Sequence, residues 1–257
     1  WGYPKESGRG RRGPAARGEV GGPEPRRFRA RKGWCSRPCS LRGGWSAESV
    51  PCARWRAGSQ SLARPGQPAI LRSYGAADLE HGVRITPDTI FEAGSISKQF
   101  TATAILLLVQ QKQLSLDSRL ITFFPKLSDY ASKITIRQLL NHTSGLVDYE
   151  DLIPASQTQQ LTDFDVLSLL EKQKSTYFSP GSQYRYSNGG YVLLGLIVER
   201  ITGTSFSQFL KQNIFTPLSM NNSLMYEGSQ TDIPFRAFGY TAFGNSFKQT
   251  DQSVTSA

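Results

Sequence analysis

The chain has 257 residues, enough for one large domain or two small ones, and it carries a formal net charge of +10. Residues 1–67 contain 15 Lys or Arg against 4 Asp or Glu, whereas residues 68–257 contain 15 against 16. The charge of the larger part is balanced, so no nucleic-acid partner is expected there. No apolar run approaches the roughly 18 residues that span a membrane, and the sequence therefore predicts no transmembrane segment.

Residues 1–67 are rich in Arg, Gly, Pro and Ser, and they contain no Ile and only two Leu. Because apolar residues recur with neither a helical nor a strand period, we predict that this segment is disordered and has no assigned function. A basic arm that binds nucleic acid is the alternative, which the scattered arginines disfavour. Cys35, Cys39 and Cys52 lack the paired spacing and nearby His of a zinc site, so free or adventitiously paired thiols are expected.

The composition changes at residue 68, and the following residues carry clear structural patterns. A short strand is predicted at 69–74. Helices are predicted at 98–113, from the capping box of Thr135 and Gln138 onward, at 162–172, at 189–202 and at 205–215. The first of these helices is apolar nearly all round between residues 104 and 109, which is typical of a buried helix. Residues 114–127 read as a connection, and those beyond 220 as turns.

Ser95 follows the small residue Gly94 and opens the first predicted helix. A helix start has unpaired backbone N–H groups and the positive end of the helix dipole, so it favours developing negative charge. Lys98 lies three residues later and returns to the same helix face, where an amine can activate the hydroxyl. Because a Ser-x-x-Lys match is weak by itself, a capping serine beside a solvated lysine is the alternative.

A second candidate group is formed by Tyr186 and Asn188, which stand two residues apart on a tight turn before a helix. A phenol close to an ammonium group ionises more easily and can carry a proton away from a serine hydroxyl. The Asn amide offers a donor and an acceptor to a bound carbonyl or amide. The alternative is an aromatic side chain that fills space beside a turn asparagine.

From about residue 68 onward, the sequence resembles the β-lactamase-related serine hydrolases, which include class C β-lactamases, D-alanyl-D-alanine carboxypeptidases and related esterases. The matching segments occur in family order at 74–80, 85–91, 94–102, 139–146, 180–181, 186–188, 189–203 and 214–220. The resemblance implies an α+β fold of the β-lactamase/penicillin-binding-protein (transpeptidase-like) type, with 68–257 as an incomplete hydrolase domain. It also implies an enzyme that works without a metal or another cofactor.

The resemblance assigns a role to each candidate residue. Ser95 would be the nucleophile that forms an acyl-enzyme, and its backbone N–H would supply one oxyanion-hole donor. Lys98 and Tyr186 would together activate the serine and later protonate the leaving group. Asn188 would orient the carbonyl or amide of the substrate. His142 lies in a His-Thr-Ser-Gly turn that is a structural signature of the family, so we do not expect it to be a catalytic base; His81 is expected to be solvated.

The sequence also departs from the family pattern. The third motif, Lys or His followed by Ser or Thr and Gly, is absent from the 69 residues after Asn188, and the first strand pair is reduced to a remnant at 69–74. We therefore expect mainly the helical subdomain, with most of the antiparallel sheet missing. A truncated or degenerate, non-catalytic member of the fold is the alternative to an enzyme.

The expected partner is a small-molecule or peptide substrate with an ester or amide bond. The sequence does not distinguish a β-lactam from a D-amino-acid peptide or a small ester, although a promiscuous esterase or peptidase is favoured as the broader class. The resemblance implies a periplasmic or secreted protein, with mitochondrial relatives also known.

Overall fold

The computed structural model describes residues 58–62, 70–154, 156–157, 159–226, 233–244 and 246–250. They belong to one compact unit, Ala53–Ala257. Its α-helices are α1 (Lys98–Gln110), α2 (Leu120–Phe123), α3 (Ile136–Leu140), α4 (Asp163–Glu171), α5 (Asn188–Thr202) and α6 (Phe206–Leu210). Short 3₁₀ turns lie at Gly94–Ser97, Asp129–Lys133 and Tyr149–Leu152, and α6 continues into a π-helical turn at Lys211–Phe215.

The strands form three separate antiparallel pairs, so the described residues contain no large sheet. The pairs are β1 (Gly58–Leu62) with β2 (Ile70–Tyr74), β3 (Ala76–Asp78) with β4 (Val83–Arg84), and β5 (Tyr240–Phe243) with β6 (Ser246–Gln249). In the first pair Gly58 lies opposite Tyr74, and in the last Tyr240 lies opposite Gln249. The architecture is α+β, as predicted, with the helices dominant.

Strand β1 lies inside segment 1–67, for which the composition predicts disorder. Its residues pair with β2 along the whole strand, from Gly58 opposite Tyr74 to Leu62 opposite Ile70. Backbone hydrogen bonds to a distant partner stabilise this strand, and composition does not register them. The prediction of disorder is wrong at these five residues. Residues 1–57 and 63–67, and with them the three cysteines, lie outside the described residues.

Helix α5 is the centre of the core. Its side chains Leu193, Leu194 and Ile197 are fully buried, and the helix packs against α1, α3, α4 and α6. Burying one Leu or Ile side chain stabilises a fold by about 1.5–3 kcal/mol. Gly195 brings α5 close to the ring of Phe206, where a Cβ atom would lie 3.5 Å from the ring. The helix that carries Asn188 is thereby fixed by packing on several sides.

Helix α1 is buried on one side only, which corrects the expectation of a helix surrounded by other elements. Ala104, Ile105 and Leu108 are fully buried, but Leu106 is 51% exposed. The helix also ends at Gln110 rather than near residue 113, because Lys112 has a φ of +59° and turns the chain away from the helix axis. Apolar composition alone does not tell which face of a helix meets a neighbour.

The helix starts follow the predicted capping residues closely. Thr135 and Gln138 form the predicted capping box of α3, and Thr162 forms another with Asp165 at the start of α4. Helix α5 ends at Gly203, whose φ of +69° is the left-handed conformation that glycine adopts most readily. These ends are set by residues within one turn of each other, which is why the sequence predicts them well.

Candidate active site

Ser95 lies in the 3₁₀ turn Gly94–Ser97, which leads directly into α1. Gly94 adopts a φ of +51°, so the chain enters the turn in a conformation that disfavours larger residues. The structure describes no side-chain capping bond at the start of the turn or of α1. The hydroxyl of Ser95 instead contacts Tyr186, so the alternative of a capping serine does not hold.

All four candidate residues meet at one place. The Oγ of Ser95 lies 2.6 Å from the Tyr186 hydroxyl, and Lys98 Nζ donates to the same Oγ at 3.3 Å. Lys98 also donates to Asn188 Oδ1 at 2.7 Å. A hydroxyl, a phenol and an ammonium group therefore lie within hydrogen-bond reach of one another, which is the arrangement that nucleophilic catalysis by serine requires.

The Lys98 ammonium group lies over two aromatic rings. Its Nζ lies 5.0 Å from the ring centroid of Tyr186 and 5.6 Å from that of Tyr191. Distances below about 6 Å allow an attractive cation–π interaction. Two hydrogen bonds and two rings together fix the amine, although the flexible lysine stem would otherwise sample many positions.

The environment makes the Tyr186 phenol easier to ionise. Partial burial raises the pKa of Tyr186, but hydrogen bonding with Lys98 and Ser95 and the positive charge of Lys98 outweigh burial, so its pKa lies below the ordinary value. A phenol with a lowered pKa is a better proton acceptor near neutral pH. Tyr186 is therefore suited to take the proton of the neighbouring serine.

Asn188 is fixed by a residue that the sequence did not indicate. Its Nδ2 donates to Glu150 Oε1 at 2.7 Å, while its Oδ1 faces Lys98. Glu150 lies in the 3₁₀ turn Tyr149–Leu152, and the side chain of Asp148 caps this turn by accepting the N–H of Glu150. No spacing rule links residue 150 to residue 188, so only the folded chain reveals the contact.

His142 lies beside the candidate site, but its Nδ1 does not bond to Ser95. That nitrogen accepts the backbone N–H of Ser187 at 3.2 Å, and the imidazole ring lies 4.5 Å from the Tyr186 ring. Burial, followed by the charge of Lys98, lowers the pKa of His142. His81 is largely solvent-exposed and bonds to Asp78 through its Nδ1. Neither of these two hydrogen bonds involves Ser95.

A cavity of about 580 Å³ opens at Ser95, Lys98 and Asn188. Its lining is more apolar than polar, with side chains that include Phe206, and it also carries the charged residues Glu150, Glu92 and Arg236. The volume suits a small organic molecule, and a mostly apolar cavity with a few converging polar groups is typical of ligand sites.

Across the described residues, no three His, Cys, Asp or Glu side chains are grouped so as to hold a metal ion. None of the described helices is long and apolar enough to cross a membrane.

Comparison with known proteins decides the family. The beta-lactamase family model matches residues 55–251, which is most of the chain. The chain belongs to the beta-lactamase family. A penicillin-binding protein of Bacillus subtilis is 34% identical over 188 residues, which cover 71% of this chain and 41% of that protein. The D-aminopeptidase of Brucella ovis is 32% identical over 170 residues, which cover 65% of this chain and 32% of that protein.

Solved structures agree with the family. A penicillin-binding protein from Bacillus halodurans matches with a TM-score of 0.68 and 30% identity, covering 75% of this chain and 60% of that one. The D-amino acid amidase of Ochrobactrum anthropi matches with a TM-score of 0.62 and 34% identity, covering 71% and 51%. The predicted β-lactamase/penicillin-binding-protein-like fold is thereby confirmed.

This member of the beta-lactamase family spans only part of its relatives. It covers 41% and 32% of the two curated relatives, and about half to three-fifths of the two solved structures. The match begins at residue 55, before the predicted domain boundary at 68 and close to the start of β1.

Proposed function

We propose that this protein is a serine hydrolase that transfers an acyl group through Ser95 and hydrolyses an ester, amide or β-lactam bond. The supporting observation is the 2.6 Å contact between Ser95 Oγ and the Tyr186 hydroxyl, with Lys98 Nζ 3.3 Å from the same oxygen. A nucleophile, a proton acceptor and a cation that favours the ionised acceptor are then all in reach of one carbonyl group.

The proposed reaction has two half-reactions. Ser95 Oγ attacks the carbonyl carbon while its proton passes to Tyr186, whose ionised form is stabilised by Lys98. The tetrahedral intermediate collapses, the bond to the leaving alcohol or amine breaks, and Tyr186 returns the proton to the leaving group. The acyl group is now an ester of Ser95. Water then attacks this ester by the same proton transfers, which releases a carboxylic acid and restores the serine hydroxyl.

Asn188 is proposed to hold the substrate and the lysine at once. Its Oδ1 accepts from Lys98 and its Nδ2 donates to Glu150, so both ends of the amide have a defined direction before a ligand enters. The Ser95 backbone N–H is proposed as one oxyanion donor, and such a donor is typically worth about 3–4 kcal/mol of transition-state stabilisation.

The names of two relatives favour amide bonds of small substrates within the proposed class. A D-aminopeptidase is 32% identical to this chain, and a D-amino acid amidase shares its fold at 34% identity. The cavity of about 580 Å³ is large enough for an amino-acid amide. We therefore propose a small amide or peptide as the first substrate to examine, with small esters and β-lactams as comparisons.

A non-catalytic member of the fold is the alternative to the proposed hydrolase. The 69 residues after Asn188 contain no Lys or His followed by Ser or Thr and Gly, so this stretch lacks the motif that completes the site in the family pattern. A protein of this kind would keep the cavity but would not turn over substrate.

Turnover of three chromogenic substrates separates the two functions. We would measure release of p-nitroaniline from D-alanine p-nitroanilide, of p-nitrophenol from its acetate, and ring opening of a chromogenic cephalosporin. The proposal predicts hydrolysis of at least one substrate that is lost in Ser95→Ala. Equal rates in both proteins, or no turnover by a chain whose cooperative melting shows that it is folded, would favour the non-catalytic alternative.

A further inference from the structure

We propose that His142 is a positioning residue that fixes the Tyr186 phenol against Ser95 and does so as a neutral imidazole. This inference rests on the proposed function, because it concerns how the proton acceptor of that reaction is held. The His142 side chain bonds to the Ser187 N–H and packs on tyrosine rings, so it acts on the reaction through Tyr186.

His142 binds the backbone on both sides of Tyr186. Its carbonyl oxygen accepts the N–H of Arg185 at 2.9 Å, and its Nδ1 accepts the N–H of Ser187 at 3.2 Å. These two residues are the immediate neighbours of Tyr186 in the chain. One residue therefore fixes the peptide units before and after the catalytic phenol, which leaves its Cα little freedom to move.

The imidazole ring also packs between two tyrosines. Its centroid lies 4.5 Å from the Tyr186 ring and 5.1 Å from the Tyr191 ring, with interplanar angles of 33° and 32°. Tyr191 belongs to the central helix α5, and its hydroxyl donates to the carbonyl of Leu140 at 3.1 Å. The ring of Tyr186 is thus connected through His142 to the most firmly packed helix of the fold.

The backbone of His142 ends helix α3 in a left-handed conformation. Its φ is +56°, a region that residues with a Cβ rarely adopt, although Asn, Asp and His do so more often than others. The His142 N–H donates to the Leu139 carbonyl at 3.2 Å and the Thr143 N–H donates to the Gln138 carbonyl at 2.9 Å, which is the hydrogen-bond pattern of a Schellman helix end. This helix end fixes the backbone of His142 at the place where its carbonyl and its Nδ1 reach Arg185 and Ser187.

The acceptor role defines the protonation state of the ring. Nδ1 accepts a hydrogen bond only when it carries no proton, so the proton of the neutral ring is on Nε2. The titratable and charged groups that face the ring are Tyr184 and Tyr186 from the turn before α5, Tyr191 from α5, and Lys98 from α1. A protonated His142 would lose the bond to Ser187 and would add a second cation near Lys98.

Three proteins test the inference: the wild type, His142→Asn and His142→Phe. Asn offers an oxygen in place of Nδ1 and tolerates a positive φ, whereas Phe keeps an aromatic ring but has no acceptor. The phenol pKa of Tyr186 is measured by NMR of ¹³Cζ-labelled tyrosine, with Tyr186→Phe for assignment. The acylation rate is measured with a fluorophosphonate between pH 5 and 9, with Ser95→Ala as the blank.

We expect His142→Phe to raise the Tyr186 pKa toward that of free tyrosine and to slow acylation by about 100-fold, as a displaced catalytic group does. His142→Asn should retain most of the rate and should weaken the loss of activity at acidic pH. An unchanged Tyr186 pKa together with an unchanged rate in His142→Phe would overturn the inference, even if this variant melts at a lower temperature.

Two results keep this test separate from the proposed function. If wild type and Ser95→Ala label equally, the function fails, whereas the Tyr186 pKa still reports on positioning. If a variant does not fold, ¹⁵N NMR of the histidines in the wild type decides, because the chain has only two and His81→Asn assigns them. The inference requires His142 Nδ1 to be unprotonated at pH 7, and a protonated Nδ1 would overturn it.

Discussion

Lys98 Nζ lies 2.7 Å from Asn188 Oδ1 but 3.3 Å from Ser95 Oγ, so the ammonium group is bound more closely to the amide than to the hydroxyl. Asn188 in turn donates to Glu150 at 2.7 Å. A carboxylate accepts only, and an ammonium group donates only, so the two partners together determine which way the Asn188 amide points. This row of three side chains holds the lysine in place beside the serine.

Substitution of Glu150 tests whether this row of three side chains matters for acylation. In Glu150→Ala the Asn188 amide loses the acceptor that fixes its orientation, and we expect the acylation rate to fall about 10-fold, because small displacements of catalytic groups are costly. Glu150→Gln keeps an oxygen acceptor and should lose less. The rate of labelling by a fluorophosphonate measures both. Glu92→Ala, on the wall of the same cavity, is the control; an equal effect there would indicate a general charge effect.

Tyr186→Phe removes the proposed proton acceptor and keeps the ring. We expect acylation to slow by about 100- to 10,000-fold, the usual contribution of general acid–base catalysis. The melting temperature should change little, because Tyr186 is 40% exposed. Tyr184→Phe is the matched control, since it makes the same chemical change at an exposed tyrosine two residues away. A loss of rate that is equal in the two variants would contradict the role of Tyr186.

Two glycines with the same φ distinguish the cost of backbone strain from the cost of steric crowding at an added Cβ atom. Gly145 and Gly203 both have a φ of +69°. A Cβ at Gly145 would lie 2.5 Å from the backbone oxygen of Phe178, whereas a Cβ at Gly203 would meet nothing within 4 Å. We expect Gly203→Ala to cost about 1 kcal/mol of unfolding free energy and Gly145→Ala about 3 kcal/mol or more. Chemical denaturation measures both, and equal losses would argue against the close approach.

Asp148 predicts a dependence of stability on pH. Burial, followed by the charges of Glu150 and Asp151, raises the pKa of Asp148 despite its bond to the Glu150 N–H. The native state then binds this proton more tightly than the unfolded state, so this contribution to stability is lost as pH rises from about 4 through the raised pKa. Asp148→Asn keeps the capping oxygen and cannot ionise.

We therefore expect Asp148→Asn to melt at a higher temperature than the wild type at pH 7, with the difference disappearing below about pH 4. Melting temperatures across this range measure the effect. Asp151→Asn provides the contrast, because Asp151 accepts a hydrogen bond from Tyr177 and pairs with Arg185. A lower melting temperature of Asp148→Asn at pH 7 would contradict this prediction, because it would show that the ionised Asp148 carboxylate stabilises the fold.

Sequence predicted those parts of the fold that depend on neighbouring residues. The capping box of Thr135 and Gln138 is local, and the sequence predicts it at the correct residues. Hairpin β5–β6 was predicted only as turns, because its stability comes from pairing between the strands, such as Thr241 with Lys248. Strand β1 was missed for the same reason.

The candidate site, like the fold, has parts that the sequence predicts and parts that it does not. Ser95 and Lys98 are three residues apart, and the helical repeat predicts that they meet. The approach of Tyr186 and Asn188 followed from resemblance to a family rather than from spacing. Glu150 has no such pattern, because its contact with Asn188 depends on how the turn at Tyr149–Leu152 packs beside α5.

Covalent labelling of Ser95 tests the proposed function most directly. Intact mass is measured after incubation with a fluorophosphonate and, separately, with a penicillin, for the wild type and for Ser95→Ala. We predict one adduct per chain on the wild type with the fluorophosphonate and none on Ser95→Ala. An adduct that persists in Ser95→Ala, or no adduct on a chain shown to be folded, would contradict the proposal that Ser95 is an activated nucleophile.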